Sequence, residues 1–250
     1  MNDSEQKTAS GSKHICTKVL CGCLAVFLIT VLGYYISYNE NRGSASGSGG
    51  ISCVSDSKAE IKAGDHVYFG SYPQTADGTA QPIEWRVLDV EDGKALAISE
   101  YLLDVHIFDE YTDDWTESDI RAWLNGDFLN SAFNPLEREK LTADVTGDLI
   151  SLLSMEEAKK YLKSANERKA APTPFAMKRG AHISGNHTIE NGMTAGWWWL
   201  RSSDPSSDRA ACISSGGFIM DHGSDVDFGL ICVRPVILVS LSDEMQPVIP

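Results

Sequence analysis

Gly196-Trp197-Trp198-Trp199-Leu200-Arg201-Ser202-Ser203, answered near the C-terminus by Val233-Arg234-Pro235-Val236, is the stretch on which the fold turns. Three of the six tryptophans of the chain fall in one tripeptide. An aromatic ring system of this size buries roughly 150–250 Å², so the run is either a core strand or a binding surface. In a strand, alternation sends Trp197 and Trp199 to one face and Trp198 to the other, so at least one face meets something besides the main core. The expectation is two core tryptophans, with Trp198 facing a rim or partner.

Working outward, the segments after this run read as short strands at residues 210–213, 217–220 and 230–241, separated by Ser, Asp and Gly turns. Upstream, residues 67–70 read as a strand followed by a turn at Tyr72-Pro73-Gln74. Residues 83–88 alternate in the strand manner, Glu91-Asp92-Gly93 turns the chain, and residues 95–98 return, which makes a hairpin. The middle is helical. Thr116 is placed to cap a helix carrying Ile120, Trp123 and Leu124 on one face, with Asp119 in the capping-box position. Asn134-Pro135 opens a second helix, and Ser154-Met155-Glu156-Glu157 opens a third that runs to about Lys163. Residues 166–196, polar and rich in Gly, Pro and His, read as a long loop. Strands, then helices, then short antiparallel strands make an α+β domain.

The first third is of a different kind. Residues 19–38, VLCGCLAVFLITVLGYYISY, hold no charge and are long enough to cross a hydrocarbon core of about 30 Å as a helix. Lys13 and Lys18 precede this segment, whereas Arg42 behind it is offset by Glu40, so the charge bias keeps residues 1–18 in the cytoplasm. Residues 39–60 are a Gly/Ser-rich linker, and residues 61–250 form the domain outside the cell membrane. The rival readings are a signal peptide cut near Ser44-Ala45-Ser46, for which the apolar run is long, and a lipoprotein box at residues 20–23, where the apolar stretch lies on the wrong side of the cysteine.

The formal net charge is −14, and residues 1–60 contribute nothing to it because their five basic and five acidic groups cancel. An external domain this acidic repels phosphate backbones, which argues against a nucleic-acid partner. Cys212 and Cys232 fall in neighbouring expected strands on the oxidising side of the membrane, and a disulfide between them is expected.

Several of these motifs occur together in a known order. Gly70-Ser71-Tyr72-Pro73-Gln74, Pro82-Ile83-Glu84-Trp85-Arg86-Val87-Leu88, Trp115 through Asn125, Leu152-Leu153-Ser154 and Trp198-Trp199-Leu200-Arg201-Ser202 resemble the signatures of a family of uncharacterised bacterial surface domains, over roughly residues 61–242. The closing Trp-Leu-Arg-Ser and Val-Arg-Pro-Val pair is also similar to the end of C-type-lectin-like domains of the formylglycine-generating-enzyme type. That resemblance implies a tryptophan strand and a late arginine strand in one small sheet, with residues 203–210 and 221–229 on a ligand-facing rim. Cys232 departs from the pattern by standing where glycine is usual.

The implied site draws on Trp198, Arg201, Asp204, Asp208, Asp221 and Asp225 for ligand contact. Asp221, Asp225 and Asp227, with Ser224, supply hard oxygens of the kind Ca²⁺ takes. The acidic stretch 100–119, with Asp109, Asp113 and Asp114, offers a second such set. Both have a plainer reading as solvated acidic turns, and no other cofactor is implied. Arg201 and Arg234 likewise read as guanidinium groups that fix strand ends by stacking on rings or joining carboxylates. No G-x-S-x-G elbow or H-E-x-x-H helix occurs, and His182, His187 and His222 have no zinc spacing, so no catalytic residue is assigned. The expected function is a single-pass, membrane-anchored binding module for an envelope or extracellular glycan, peptide or protein. The alternatives are a structural or sensory ectodomain without a small ligand, and an envelope enzyme.

Overall fold

An Asp92-Gly93 turn starts the architecture. Both residues have positive φ (49° and 71°), the geometry of a two-residue hairpin whose twist matches that of its strands. It joins β2 (Ala80–Glu91) to β3 (Lys94–Ser99), and β1 (His66–Pro73) pairs antiparallel on the far side of β2. The hairpin read from alternation is therefore present. The computed structural model describes residues 60–203 and 208–241. The chain divides into two units, and these residues belong to the second, Ser57–Pro250. Residues 19–38 lie outside the described residues, among which no helix is long and apolar enough to cross a membrane.

The fold is mixed α+β, mostly strands with a few short helices. A six-stranded sheet runs β1-β2-β3-β13-β5, with β6 also on β13. Here β5 is Leu141–Thr142, β6 is Ile150–Ser151 and β13 is Val236–Ser240. A five-stranded sheet runs β11-β10-β9-β12-β4, made of Ile219–Asp225, Arg209–Ile213, Trp198–Ser203, Cys232–Val233 and Asp104–Val105 in that order. A small hairpin, β7 (Ile183–Thr188) with β8 (Thr194–Gly196), stands apart from both.

The strand expected over residues 230–241 is two strands in two sheets. Val233 pairs with Asp104 in the five-stranded sheet, while Val236 pairs with Ile98 in the six-stranded one. Pro235 lacks the N–H that a continuous ladder would need, and the chain changes sheets across Arg234-Pro235. Arg234 is fully buried at this crossing. Its Nε donates to the Ser99 carbonyl at 2.9 Å, and its guanidinium lies 5.2 Å from the Trp198 ring centroid. Burial lowers its pKa to about 9, so the group is still charged at neutral pH.

Alternation in β9 is as expected, but its consequence differs. Trp199 lies in one buried cluster, against which Trp197 packs, and Trp198 lies with Leu200 in another. The sheet is thus covered on both faces. Trp198 and Trp199 have no exposed surface, and their indole N–H groups donate to the carbonyls of Arg168 and His106. The rim assignment of Trp198 is therefore corrected: Trp197, half-buried, is the member of the three that reaches the surface. The same two-sided burial overturns the expected disulfide. Cys212 and Cys232 are free, lie in opposite clusters, and are separated by β9. Burial pushes the Cys212 thiol up to about 12 and raises that of Cys232 as well, which leaves both as inert apolar fillers.

The helix expected from Thr116 starts two residues later, at Asp119–Trp123, with Ser118 as its cap. The Thr116 hydroxyl is instead engaged by Asp114 at 2.8 Å. A π-helical turn, Leu124–Phe128, follows and carries Asn125, whose amide bonds the backbone of both Leu149 and Ile150. The capping boxes at Asn134 and Ser154 are formed, opening helices Pro135–Arg138 and Met155–Tyr161. Residues 166–196 are not one loop: they contain most of helix Ala165–Arg168, then helix Pro174–Lys178 and the β7–β8 hairpin. Thr173 caps the Pro174 helix, a signal present in the sequence, whereas β7 is too polar and exposed to show strand alternation.

Candidate ligand-binding groove

The half-buried member of the tryptophan run forms one wall of a surface groove of about 400 Å³. Trp197 sits between β8 and β9, with its backbone N–H on the His182 carbonyl at 2.9 Å and its carbonyl accepting from the Cys232 N–H. Its indole Nε1 donates to Ser184 Oγ at 2.8 Å, so the ring is fixed at one edge and open at the other. The His182 ring stands 5.5 Å from it, and Phe228 meets His182 edge-on at 5.7 Å. The three rings make an aromatic wall.

Strand β11 provides the facing wall, with Met220, Asp221 and Ser224, and Arg209 joins from β10. The ladder between β10 and β11 loses register between Ala210 and Cys212, which bulges the strand at residues 221–223. Gly223 makes this bulge practicable: its φ is +58°, and a Cβ there would stand 2.0 Å from the Ala210 carbonyl oxygen. Asp225 pairs with Arg209 Nε at 3.0 Å, both side chains being well exposed. Such a pair orients polar groups and contributes little to stability.

The expected site residues do not all meet here. Asp221 lines the groove and Asp225 holds Arg209 beside it. Asp208 is exposed immediately before β10, Asp227 is exposed after β11, and Asp204 lies outside the described residues. Among the described residues no group of three or more His, Cys, Asp or Glu side chains is placed to hold a metal, so Asp221, Asp225 and Asp227 are not brought together as a calcium cage. In the second acidic stretch, Asp109 accepts from the backbone N–H groups of Tyr111, Thr112 and Asp119, and Asp114 from Thr116; these carboxylates order turns.

Trp198 is in the core, and Arg201 is largely buried away from the groove. Its guanidinium forms a bidentate pair with Glu157 and donates to the Leu152 carbonyl at 2.5 Å. Burial alone would raise the pKa of Glu157, but bonds from Arg201 and Ser154 outweigh it and hold the carboxyl below its usual range. Arg209 and Phe228 fall within the rim segments that the lectin-like resemblance implied, although neither was named as a ligand contact, and His182 was weighed only for zinc. Trp197 was not singled out, because alternation could not say which of the three tryptophans ended at solvent.

Residues 92–241 match DUF6273, a domain of unknown function. The chain belongs to this family. All residues of the groove fall inside the DUF6273 match, whereas β1 and β2, which complete the six-stranded sheet, precede it. No curated protein and no solved structure matches the chain. Other residues of the DUF6273 region hold the frame: Trp115 Nε1 donates to Asp148 at 3.0 Å, and Arg121 pairs with the same carboxylate at 2.8 Å. Burial opposes ionisation of Asp148, but hydrogen bonds from Arg121, Thr146 and Trp115 hold its pKa below the usual carboxylate range.

Proposed function

We propose that this DUF6273 chain is a membrane-tethered, extracytoplasmic binding module of C-type-lectin-like organisation, whose groove seats a glycan without catalysis. The observation that carries this reading is the aromatic wall of Trp197, His182 and Phe228 facing the polar groups of Asp221 and Arg209. A sugar ring presents an apolar C–H face and a polar hydroxyl edge; the first suits fixed aromatic surface, the second suits carboxylate and guanidinium. The lectin-like organisation is supported by β9 and β12 lying side by side, tryptophan strand beside arginine-proximal strand. The uncharged segment 19–38 and the Gly/Ser linker support the tether.

The test is a glycan array probed with the full-length protein in non-ionic detergent. Selective binding is expected, weakened at least about tenfold by Trp197→Ala, with the bound glycan recovered intact. Silence across the array overturns the glycan assignment. A second reading is favoured by one observation: Ile183, Met220, Phe228 and Leu230 are exposed apolar side chains on segments bordering the groove, as at protein contact surfaces. An envelope protein whose binding is lost with Phe228→Ala, on a background of glycan silence, would decide for a structural or sensory ectodomain.

A further inference from the structure

A second cleft, of about 430 Å³, opens on the outer face of the six-stranded sheet. Its floor is apolar. Leu96 of β3 and Leu238 of β13 are direct cross-strand partners, both half-buried, and Val236 and Leu153 extend the floor. One wall is the β2–β3 hairpin end, which brings Asp89, Glu91 and Asp92 to the rim together with Lys94, the cross-strand partner of Glu91. The opposite wall is the Met155–Tyr161 helix with Arg201, where Glu157 is already neutralised by its bidentate pair. Asp144, at the end of the cleft, spends its Oδ1 on the N–H and hydroxyl of Thr146. The cleft is therefore polarised: a net-acidic wall, three carboxylates against Lys94, and a neutral-to-cationic wall flank an apolar floor.

We infer that this cleft is a docking site for a lysine side chain of a peptide partner, independent of the aromatic groove. The polarity selects that occupant. A lysine lays its methylene stem along Leu96 and Leu238 and carries a single ammonium to the Asp89–Asp92 rim. A carboxylate ligand would face the acidic wall, and a linear polyamine would drive its second ammonium toward Arg201. Besides Lys94 on the rim, a second cation of the chain feels the same acids. Lys160 is held by the Tyr161 hydroxyl at 2.8 Å, which raises its pKa, and the charges of Asp89 and Glu91 raise it further. Its ammonium competes for the same rim, so the resident lysine tempers the affinity for an incoming one.

The experiment is surface plasmon resonance on the full-length protein, using a short acetylated peptide amide with one central lysine between leucines. Binding is expected to weaken about tenfold in the Asp89→Asn/Asp92→Asn variant, to tighten several-fold in Lys160→Ala, and to fade with added salt. Asp92 and Lys160 are exposed, and at half-buried Asp89 the asparagine keeps an Oδ1 acceptor for the Val90 N–H; Trp197→Ala is expected to leave this affinity unchanged. Equal binding of the norleucine peptide would overturn the inference, as would equal binding of spermidine, an unchanged affinity in the double variant, or loss of binding in Trp197→Ala. That last result would place the peptide in the groove and leave the groove's own role intact.

Discussion

Trp197 and Trp198 are neighbours in sequence and opposites in physics. Trp198 lies in a buried cluster with Leu200, Leu153 and Leu162, with Arg234 over its ring, has no exposed surface, and gives its N–H to a backbone carbonyl. Trp197 has one edge tied to Ser184 and the rest turned to a groove walled by His182 and Phe228. The first belongs to the region that makes the fold unique, and the second to the region available for a ligand. The lesson is that an aromatic run divides its labour by residue parity, and that parity acquires meaning only from what covers each face of the sheet.

The contrast can be broken most severely from the core side. Trp198→Ala removes a fully buried ring and strips Arg234 of its aromatic partner, and it is expected to cost about 3–5 kcal/mol in chemical denaturation. A cost below about 1 kcal/mol would mean the two regions are not distinct. The corresponding Trp197→Ala change is expected to cost far less, because the ring is half-buried and loses one hydrogen bond, about 1 kcal/mol.

A second, intermediate test concerns the frame that holds both regions. Asp148→Ala leaves Trp115 Nε1 and Arg121 without their shared acceptor, for an expected loss of roughly 1–3 kcal/mol. The same frame predicts an acid limb. Asp109, Asp148 and Glu157 have folded-state pKa values below their ordinary ones, so the folded state binds fewer protons than the unfolded state in the acid range. Their stabilisation is complete above the unfolded values of about 4 and is lost as pH falls through the lower folded ones. Thermal melts from neutral pH downward are expected to show this loss, with a shallower decline in Asp148→Asn. The smallest effect is expected on the groove side: Asp225→Asn breaks an exposed pair with Arg209 and should change stability by less than about 0.5 kcal/mol.

Much of the local structure was legible. Asp92-Gly93 between alternating segments announced the hairpin, and the Asn134 and Ser154 boxes announced two helix starts, because these signals act within a few residues. Ser118 could have been read as the cap had Thr116 not offered the same chemistry two residues earlier; the structure spends Thr116 on Asp114 instead. Of the residues named from the sequence, Asp221 lines the groove and Asp225 lies beside it, while burial removes Trp198 from the expected rim and Arg201 joins the Glu157 carboxylate, as its reading as a strand-end clamp expected.

What was written in the chain is the set of short-range instructions: strand parity through the tryptophan run, turns, caps, and the acidic charge of everything beyond residue 60. Proline at 235 also stood in plain view, yet its effect required a partner on either side. Only when Val233 pairs with Asp104 and Val236 with Ile98 does the final segment become a crossing between sheets. That crossing buries both faces of β9, sends Cys212 and Cys232 to separate cores, and leaves Trp197 at the edge. Burial is a property of the whole packed assembly, so no periodicity within one strand can report it.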